Sequence, residues 1–314
     1  MKAAGLYDCG GPEVLEVIEL PEPHAGRGEV RVRVRAAAVN PTDMLLRSGW
    51  RRGRWGADPP YVPGMDVAGV LDEIGDGVAR SHGWKVGDEV VALVVPSGSS
   101  GGYSECVVVP AASVTRKPAN TTFPEAASFL MNSVTARLTL DLLALAPGET
   151  LGVTGGAGAF GGYVIQLAAR DGLRVVADSA DADEDLIRSF GASDIVRRGA
   201  GISDRFLAVA PNGLDAIADG ALLHDELCPA IRDGGQIAVL RLWDGEVGRG
   251  IKVHPLSIRA YATNTKVITD MAKQVERGLL AIRIADTYPL AEAADAHRRL
   301  ERGGLRGRLV LTVD

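Results

Sequence analysis

The stretch that most restricts what this chain can become is VTGGAGAFGG, Val153 to Gly162, in which five of ten residues are glycine. Its neighbours decide what it is. ETLGVTG before it is a turn leading into a short apolar strand. GYVIQLAARDG after it carries Val164, Leu167 and Ala168 at helical spacing, with Gly172 as a stop. LRVVADS is then a second buried strand. Strand, glycine turn, helix, strand is a βαβ unit. Gly156, Gly158 and Gly161 fit G-x-G-x-x-G, and Gly155, Gly158 and Gly161 fit the related G-x-x-G-x-x-G; Ala157, Ala159 and Phe160 complete the loop. Such a turn lets the backbone approach a pyrophosphate, and the following helix offers its first N–H groups to it. Asp178 ends the second strand, 22 residues after Gly156, near the spacing of a ribose-binding carboxylate.

The rest of the composition narrows the class. The chain has 314 residues, enough for two domains, and its 46% hydrophobic and 24% charged residues suit a globular core. Net charge is −6 with no basic run, so neither nucleic acid nor an anionic membrane is suggested as a partner. Cys9, Cys106 and Cys228 lie far apart and form no C-x-x-C pair, which fits a reducing, cytoplasmic setting. MKAAGLYDCGGPEVLEV has no apolar signal core, and no segment is long and apolar enough to span a membrane.

Along the chain, residues 1 to about 117 are β-rich. EVRVRVRAAAVN alternates Val with Arg, a strand with one wet face. DVAGVLDEIG, DEVVALVV and ECVVVP are further strands between glycine and proline turns. FPEAASFLMNSVTARLTLDLLAL is helical. Strand and helix then alternate through TLGVTG, YVIQLAARDG, RVVADS, DEDLIRSFG, SDIVR, DRFLAVA, LDAIADG, DELCPAIRDG and QIAVLR, which predicts a doubly wound parallel sheet with helices on both faces. DMAKQVERGLLAIR and LAEAADAHRRLERGG are two more helices. The closing strand, GRLVLTVD, suggests that the chain returns to its first domain.

VNPTD (39–43), PGMDVAG (63–69), KVGDEV (85–90), GGYSE (101–105), EAASFLMNSVTA, the glycine loop, TYPLAEAADAHRRLERG and GRLVLTV occur in that order. On these motifs the sequence resembles the medium-chain dehydrogenase/reductase superfamily, specifically its zinc-free, quinone oxidoreductase-like branch. The resemblance covers nearly the whole chain. It implies a GroES-like catalytic domain from residues 1–117 and 262–314, a Rossmann domain from 118–261, an active site in the cleft between them, and a homodimer. Short-chain dehydrogenases are set aside: their Tyr-x-x-x-Lys is missing, since Leu167 follows Tyr163 and Thr265 follows Tyr261 at that spacing.

The positions where zinc-dependent members carry their ligands hold Asn40, Met65 and Met131 here. An amide and two thioethers suit Zn²⁺ poorly. The cysteine-rich structural-zinc lobe is missing, and His24, His82, His224, His254 and His297 show no ligand spacing. No metal is expected. Without a Lewis acid the better substrates already delocalise incoming charge: quinones, enones and enoyl compounds. A side-chain amide placed where oxyanion charge develops would then serve, and Asn40 is the leading donor. Its bland alternative is a turn residue before Pro41. Asp43, which can cap the helical MLLRSG, is counted with Asn40 in the catalytic set, as is Thr135, which the resemblance puts beside the nicotinamide ribose.

The resemblance also assigns Leu240 and Arg308 to the cofactor, and Trp50, Arg51, Met65, Met131, Asn132 and Trp243 to the substrate pocket. Where several relatives place pocket tyrosines, this chain has Leu45 and Arg51 and no tyrosine before Tyr61, which leaves the proton donor unassigned. Trp50, Arg51 and Trp55 would line the mouth instead. For the cofactor two signals compete. Asp178 would grip the 2′-hydroxyl of NADH and repel a 2′-phosphate. Arg197 and Arg198 follow the third strand of the sheet, where relatives hold the adenosine phosphate. NADPH is slightly favoured. A dinucleotide-binding protein without turnover is the alternative to a reductase of small molecules.

Overall fold

A computed structural model describes residues 1–50, 58–241, 243, 245 and 247–314. The chain divides into two compact units. One is Met1–Met131 with Arg259–Asp314, and the other is Asn132–Ile258. In chain order the elements are β1 (Lys2–Gly5), β2 (Glu16–Glu19), β3 (Glu29–Val39), α1 (Pro41–Arg47), β4 (Asp66–Ile74), α2 (Val78–His82), β5 (Glu89–Leu93), β6 (Cys106–Pro110), β7 (Val114–Arg116) and α3 (Phe123–Ala127). They continue with α4 (Leu130–Leu143), β8 (Thr150–Thr154), α5 (Ala159–Arg170), β9 (Arg174–Ser179), α6 (Glu184–Ser189), β10 (Asp194–Arg197), α7 (Ile202–Val209), β11 (Leu214–Asp219), β12 (Ile231–Val239) and β13 (Lys252–Pro255). The last are α8 (Thr265–Glu276), β14 (Ile284–Pro289), α9 (Ala293–Glu301) and β15 (Arg308–Thr312).

The second unit is the parallel α/β sheet that the glycine turn predicts, in the order β10-β9-β8-β11-β12-β13. Every neighbouring pair is parallel. All strands therefore end at one edge. The order reverses between β8 and β11, and a ligand crevice opens outside the strand ends at such a reversal. Val176, Ile202, Phe206, Ile217, Ile231 and Ile237 are among the residues that fill its core.

The first unit is antiparallel around β3. That strand pairs with β15 along its C-terminal half, with β6 along its N-terminal half, and with β4 on its other side. The closing strand β15 thus belongs to the first unit. The unit boundary falls at Met131 rather than at 117 because α3, with its Ala126 and Ala127 fully buried, packs on β3, β4 and β15. Two local expectations need correction. The arginine face of β3 is wet only in part: Arg35 is exposed and Arg33 half-buried, but Arg31 is buried and forks onto Asp72, with Nε to Oδ1 at 2.8 Å. DELCPAIRDG is no α-helix: residues 224–230 form a 3₁₀ turn containing Pro229, and Ile231 already belongs to β12. Proline lacks the N–H an α-helix interior needs.

Candidate active site

The glycine-loop end of the second unit grows from β8. Its last residue, Thr154, is buried, and its hydroxyl donates to Asp219 Oδ1 at the tip of β11 at 2.7 Å. Ala221 N donates back to the same hydroxyl at 3.1 Å. The two strands flanking the reversal are thus tied together just before the glycine loop opens. The chain then turns through Gly155–Gly158 into α5. The third glycine of the motif is needed by close approach: a Cβ on Gly161 would sit 2.3 Å from Gly155 O. Only glycine lets α5 start this close to the loop, so its first amides face the space over the strand ends. Such a backbone cradle suits a dinucleotide pyrophosphate.

The Asp178 carboxylate is engaged by the glycine loop. Its Oδ1 accepts Gly156 N at 3.0 Å and it is 4% exposed. Burial raises its pKa, opposed by the loop amides and by the charge of Arg198. Its carboxylate thereby braces the glycine loop. Arg198 follows β10, is exposed, and its N–H is fixed by Ser179 O at 2.8 Å. Arg197 is also exposed, and its side chain pairs with Asp181 at 3.8 Å. Leu240 follows β12 at the same edge of the sheet and is half-buried. Trp243 stacks on His224, with ring centroids 5.3 Å apart. Thr135 and Asn132 lie on α4; the Asn132 amide nitrogen is buried and has no hydrogen-bond partner among the described residues.

The first unit holds the other sequence-predicted residues. Asn40 caps α1 with extended backbone, and Pro41 occupies the first helical position, where its missing N–H costs nothing. Asp43 reaches back one turn: its Oδ2 accepts Asn40 N at 2.7 Å, and its Oδ1 accepts Gly64 N at 3.0 Å. Gly64 is in the left-handed region, at φ 104°, and a Cβ there would lie 2.7 Å from Tyr103 N. That explains the glycine of PGMD. The Asn40 side chain donates through Nδ2 to Asp66 Oδ2 at 3.0 Å, and Asp66 Oδ1 accepts Met131 N at 2.6 Å. Asn40 is 3% exposed, and Met65 and Met131 are buried beside these contacts in sequence.

Three further groups complete the cluster. Tyr103 O–H donates to Asp43 Oδ2 at 3.1 Å and lies 3.2 Å from His297 Nε2 on α9. Arg308, expected on the cofactor, is buried at the start of β15, and its charge draws down both Asp43 and Asp66. Burial nonetheless wins for both acids, raising Asp43 to about 6 and Asp66 to about 7. The Tyr103 phenol is pushed well up, first by burial and then by Asp43. His297 is pushed down to about 3, first by burial and then by the Arg47 charge. Asp66, Tyr103 and His297 were missed as site residues. Asp66 and Tyr103 stand inside PGMDVAG and GGYSE, so a buried partner for Asn40 was there to be sought. Trp50 is 40% exposed in the turn after α1, while Arg51 and Trp55 lie outside the described residues.

A glycine cradle at the reversal of a parallel sheet, joined in one chain to a β-rich unit with a buried amide–carboxylate site, defines a class: dinucleotide-dependent oxidoreductases. The alcohol dehydrogenase GroES-like domain matches residues 26–119, and the zinc-binding dehydrogenase family matches 190–311. Human quinone oxidoreductase is 26% identical over all of this chain and 98% of its own length. The chloroplastic NADPH-dependent alkenal/one oxidoreductase of Arabidopsis thaliana is 28% identical over 99% of this chain and 79% of its own length. Among solved structures, a mycobacterial protein complexed with NADPH superposes with TM-score 0.88 at 25% identity, covering all of both chains. An NAD-dependent alcohol dehydrogenase gives 0.86 at 29% identity, again with full coverage of both. The chain is similar over its whole length to medium-chain dehydrogenases/reductases and is an oxidoreductase.

The second family name carries zinc, and the donor set here does not suit it. Asn40, Met65 and Met131 supply an amide and two thioethers, and the Asn40 nitrogen is engaged by Asp66. Among the described residues no three His, Cys, Asp or Glu side chains are grouped to hold a metal, and no helix is long and apolar enough to cross a membrane.

Proposed function

We propose that this chain is an NADPH-dependent, zinc-free reductase of quinones and of carbon–carbon double bonds conjugated to a carbonyl. The observation that carries the reading is the Asn40 amide, held by Asp66 at 3.0 Å at a position where a zinc-using relative would need a metal ligand. Bound reduced nicotinamide supplies a hydride. The Gly155–Gly161 backbone and the first amides of α5 hold the pyrophosphate, and Asp178 keeps that loop in shape. Arg198 supplies positive charge for a 2′-phosphate. With one Asn40 N–H spent on Asp66, its second N–H is the donor for the oxygen on which charge accumulates. A quinone or enone spreads that charge itself, so a neutral donor suffices where an unactivated ketone would need a Lewis acid. The relatives' names, quinone oxidoreductase and alkenal/one oxidoreductase, agree with this substrate class.

The test is loss of reduced-nicotinamide absorbance with NADPH and NADH against a panel of quinones and enones, before and after chelation. Turnover of at least one acceptor class, insensitive to chelator, is expected. Asn40→Ala should lower kcat at least about tenfold, toward 100-fold in a dry site, with cofactor affinity unchanged. Tight cofactor binding with no turnover of any acceptor would leave a binding protein without catalysis. A kcat within twofold of wild type would reduce Asn40 to a turn residue.

A further inference from the structure

The hydrogen bonds around Asn40 do not end at Asp66. On the other side they continue from Asp43 to Tyr103 and on to His297, a residue of the C-terminal helix α9 that is fully buried. The direction of that chain follows from counting protons. Asp43 as a carboxylate only accepts, and it already takes Asn40 N and Gly64 N. Tyr103 has one hydroxyl proton, which therefore goes to Asp43. Its oxygen then accepts from His297, so His297 carries its proton on Nε2. The other ring nitrogen, Nδ1, is buried and has no hydrogen-bond partner among the described residues. The two rings meet edge to face, with centroids 5.8 Å apart and planes at 82°. A second tie runs beside the first: Arg47, the last residue of α1, is buried and pairs with Glu301 of α9. Thus α9 grips both ends of the short helix that Asn40 caps.

We propose that His297 is a positioning residue for the reductase site: through Tyr103 it holds the Asp43 carboxylate, and so the start of α1, in the one arrangement that presents the Asn40 amide. This rests on the reading of Asn40 above. The groups facing the chain are Asn40 N, Gly64 N and Tyr103 at Asp43, with Arg308 acting through its charge, and the Asp43 charge in turn bears on Asp66. At His297 they are Tyr103 and, by charge, Arg47. Burial alone would hold Asp43 protonated further up the pH scale. The Tyr103 hydroxyl is one of the donors that counter it. When Asp43 takes up a proton it gains a donor of its own, the direction of the chain is lost, and Asn40 loses its fixed seat.

Three variants and one spectrum test this. Tyr103→Phe keeps the ring and removes the hydroxyl. It should cut kcat roughly tenfold, the scale of one net hydrogen bond, without moving NADPH affinity. It should also move the acid limb of the kcat–pH profile up by about one pH unit, because Asp43 loses a donor to its charged form. His297→Leu should match it, and His297→Gln, which offers an N–H in place of Nε2, should recover most of the loss. Imidazole ¹⁵N shifts of the wild-type chain, taken without substrate or cofactor, should show His297 neutral with its proton on Nε2 from pH 8 to below 5. A His297→Leu protein with wild-type kcat and an unmoved acid limb overturns the proposal, as does an Nδ1–H tautomer. The spectrum needs no turnover, so it decides the proton order even if the reductase reading fails.

Discussion

At the scale of single residues, Asp178 and Arg198 set the cofactor question. A carboxylate at the end of β9 ordinarily reads as an NADH signal. Here it is 4% exposed and spends an oxygen on Gly156 N at 3.0 Å. A side chain that shapes the pyrophosphate loop serves both dinucleotides alike. Asp178→Ser is therefore expected to weaken NADPH and NADH together, not to exchange one for the other. Arg198→Ala should weaken NADPH selectively. A charge-assisted hydrogen bond is worth about 1.5–3 kcal/mol, so the loss should exceed tenfold while NADH changes less than twofold. Fluorescence titration of both cofactors on both variants checks it. A gain in NADPH affinity for Asp178→Ser would show that the carboxylate faces the ribose after all.

At the scale of elements, the glycine loop and α5 act as one piece. A Cβ on Gly158 would meet Gly155 O at 3.0 Å, whereas one on Gly161 would meet it at 2.3 Å and Gly155 C at 2.8 Å. The first contact asks a carbonyl to give by a few tenths of an ångström. The second drives the helix start away from the loop. Gly158→Val should weaken cofactor at least about tenfold with the fold intact. Gly161→Val should do the same and also lower the unfolding midpoint, which urea titration of the free protein measures. Equal stability of the two variants would contradict the close packing of loop and helix. Elements of this kind were legible in the sequence because a βαβ unit needs its glycines at fixed offsets. The partners of Asn40 were less legible, because Asp66, Tyr103 and His297 are 26, 63 and 257 residues away from it and meet only when β3 pairs with β4 and β15. The buried side of the arginine strand was hidden for the same reason. An alternating Val–Arg pattern specifies two faces, but only the fold brings Asp72 beside Arg31 and Arg33 and buries the first of them.

At the scale of the whole molecule, the buried acids and the buried histidine make stability depend on pH in opposite senses. Asp43 and Asp66 titrate near about 6 and about 7 when folded, against 3.8 for an ordinary aspartate. The folded chain therefore binds protons as pH falls through that window while the unfolded chain does not. Their contribution to stability grows on acidification and is lost as pH rises through 7. His297 behaves in reverse: 6.5 is its ordinary value, and about 3 its folded one. Below pH 6.5 the unfolded chain takes up a proton that the folded chain refuses, and stability falls. From pH 8 to 6.5 the acids act alone, Asp66 first. Acidification over that range should raise the urea midpoint of wild type, and Asp66→Asn should flatten the rise, since a carboxamide has no proton to gain. Below 6.5 the two effects oppose, so His297→Gln should go on gaining stability toward pH 5 where wild type levels off. The formal net charge of −6 also favours mild acid, through reduced self-repulsion, but it does so almost equally in all three proteins. The differences between them isolate the buried groups. A wild-type midpoint that falls steadily from pH 8 to 6.5, with Asp66→Asn parallel to it, would mean that Asp66 is ionised throughout and that Arg308 outweighs its burial.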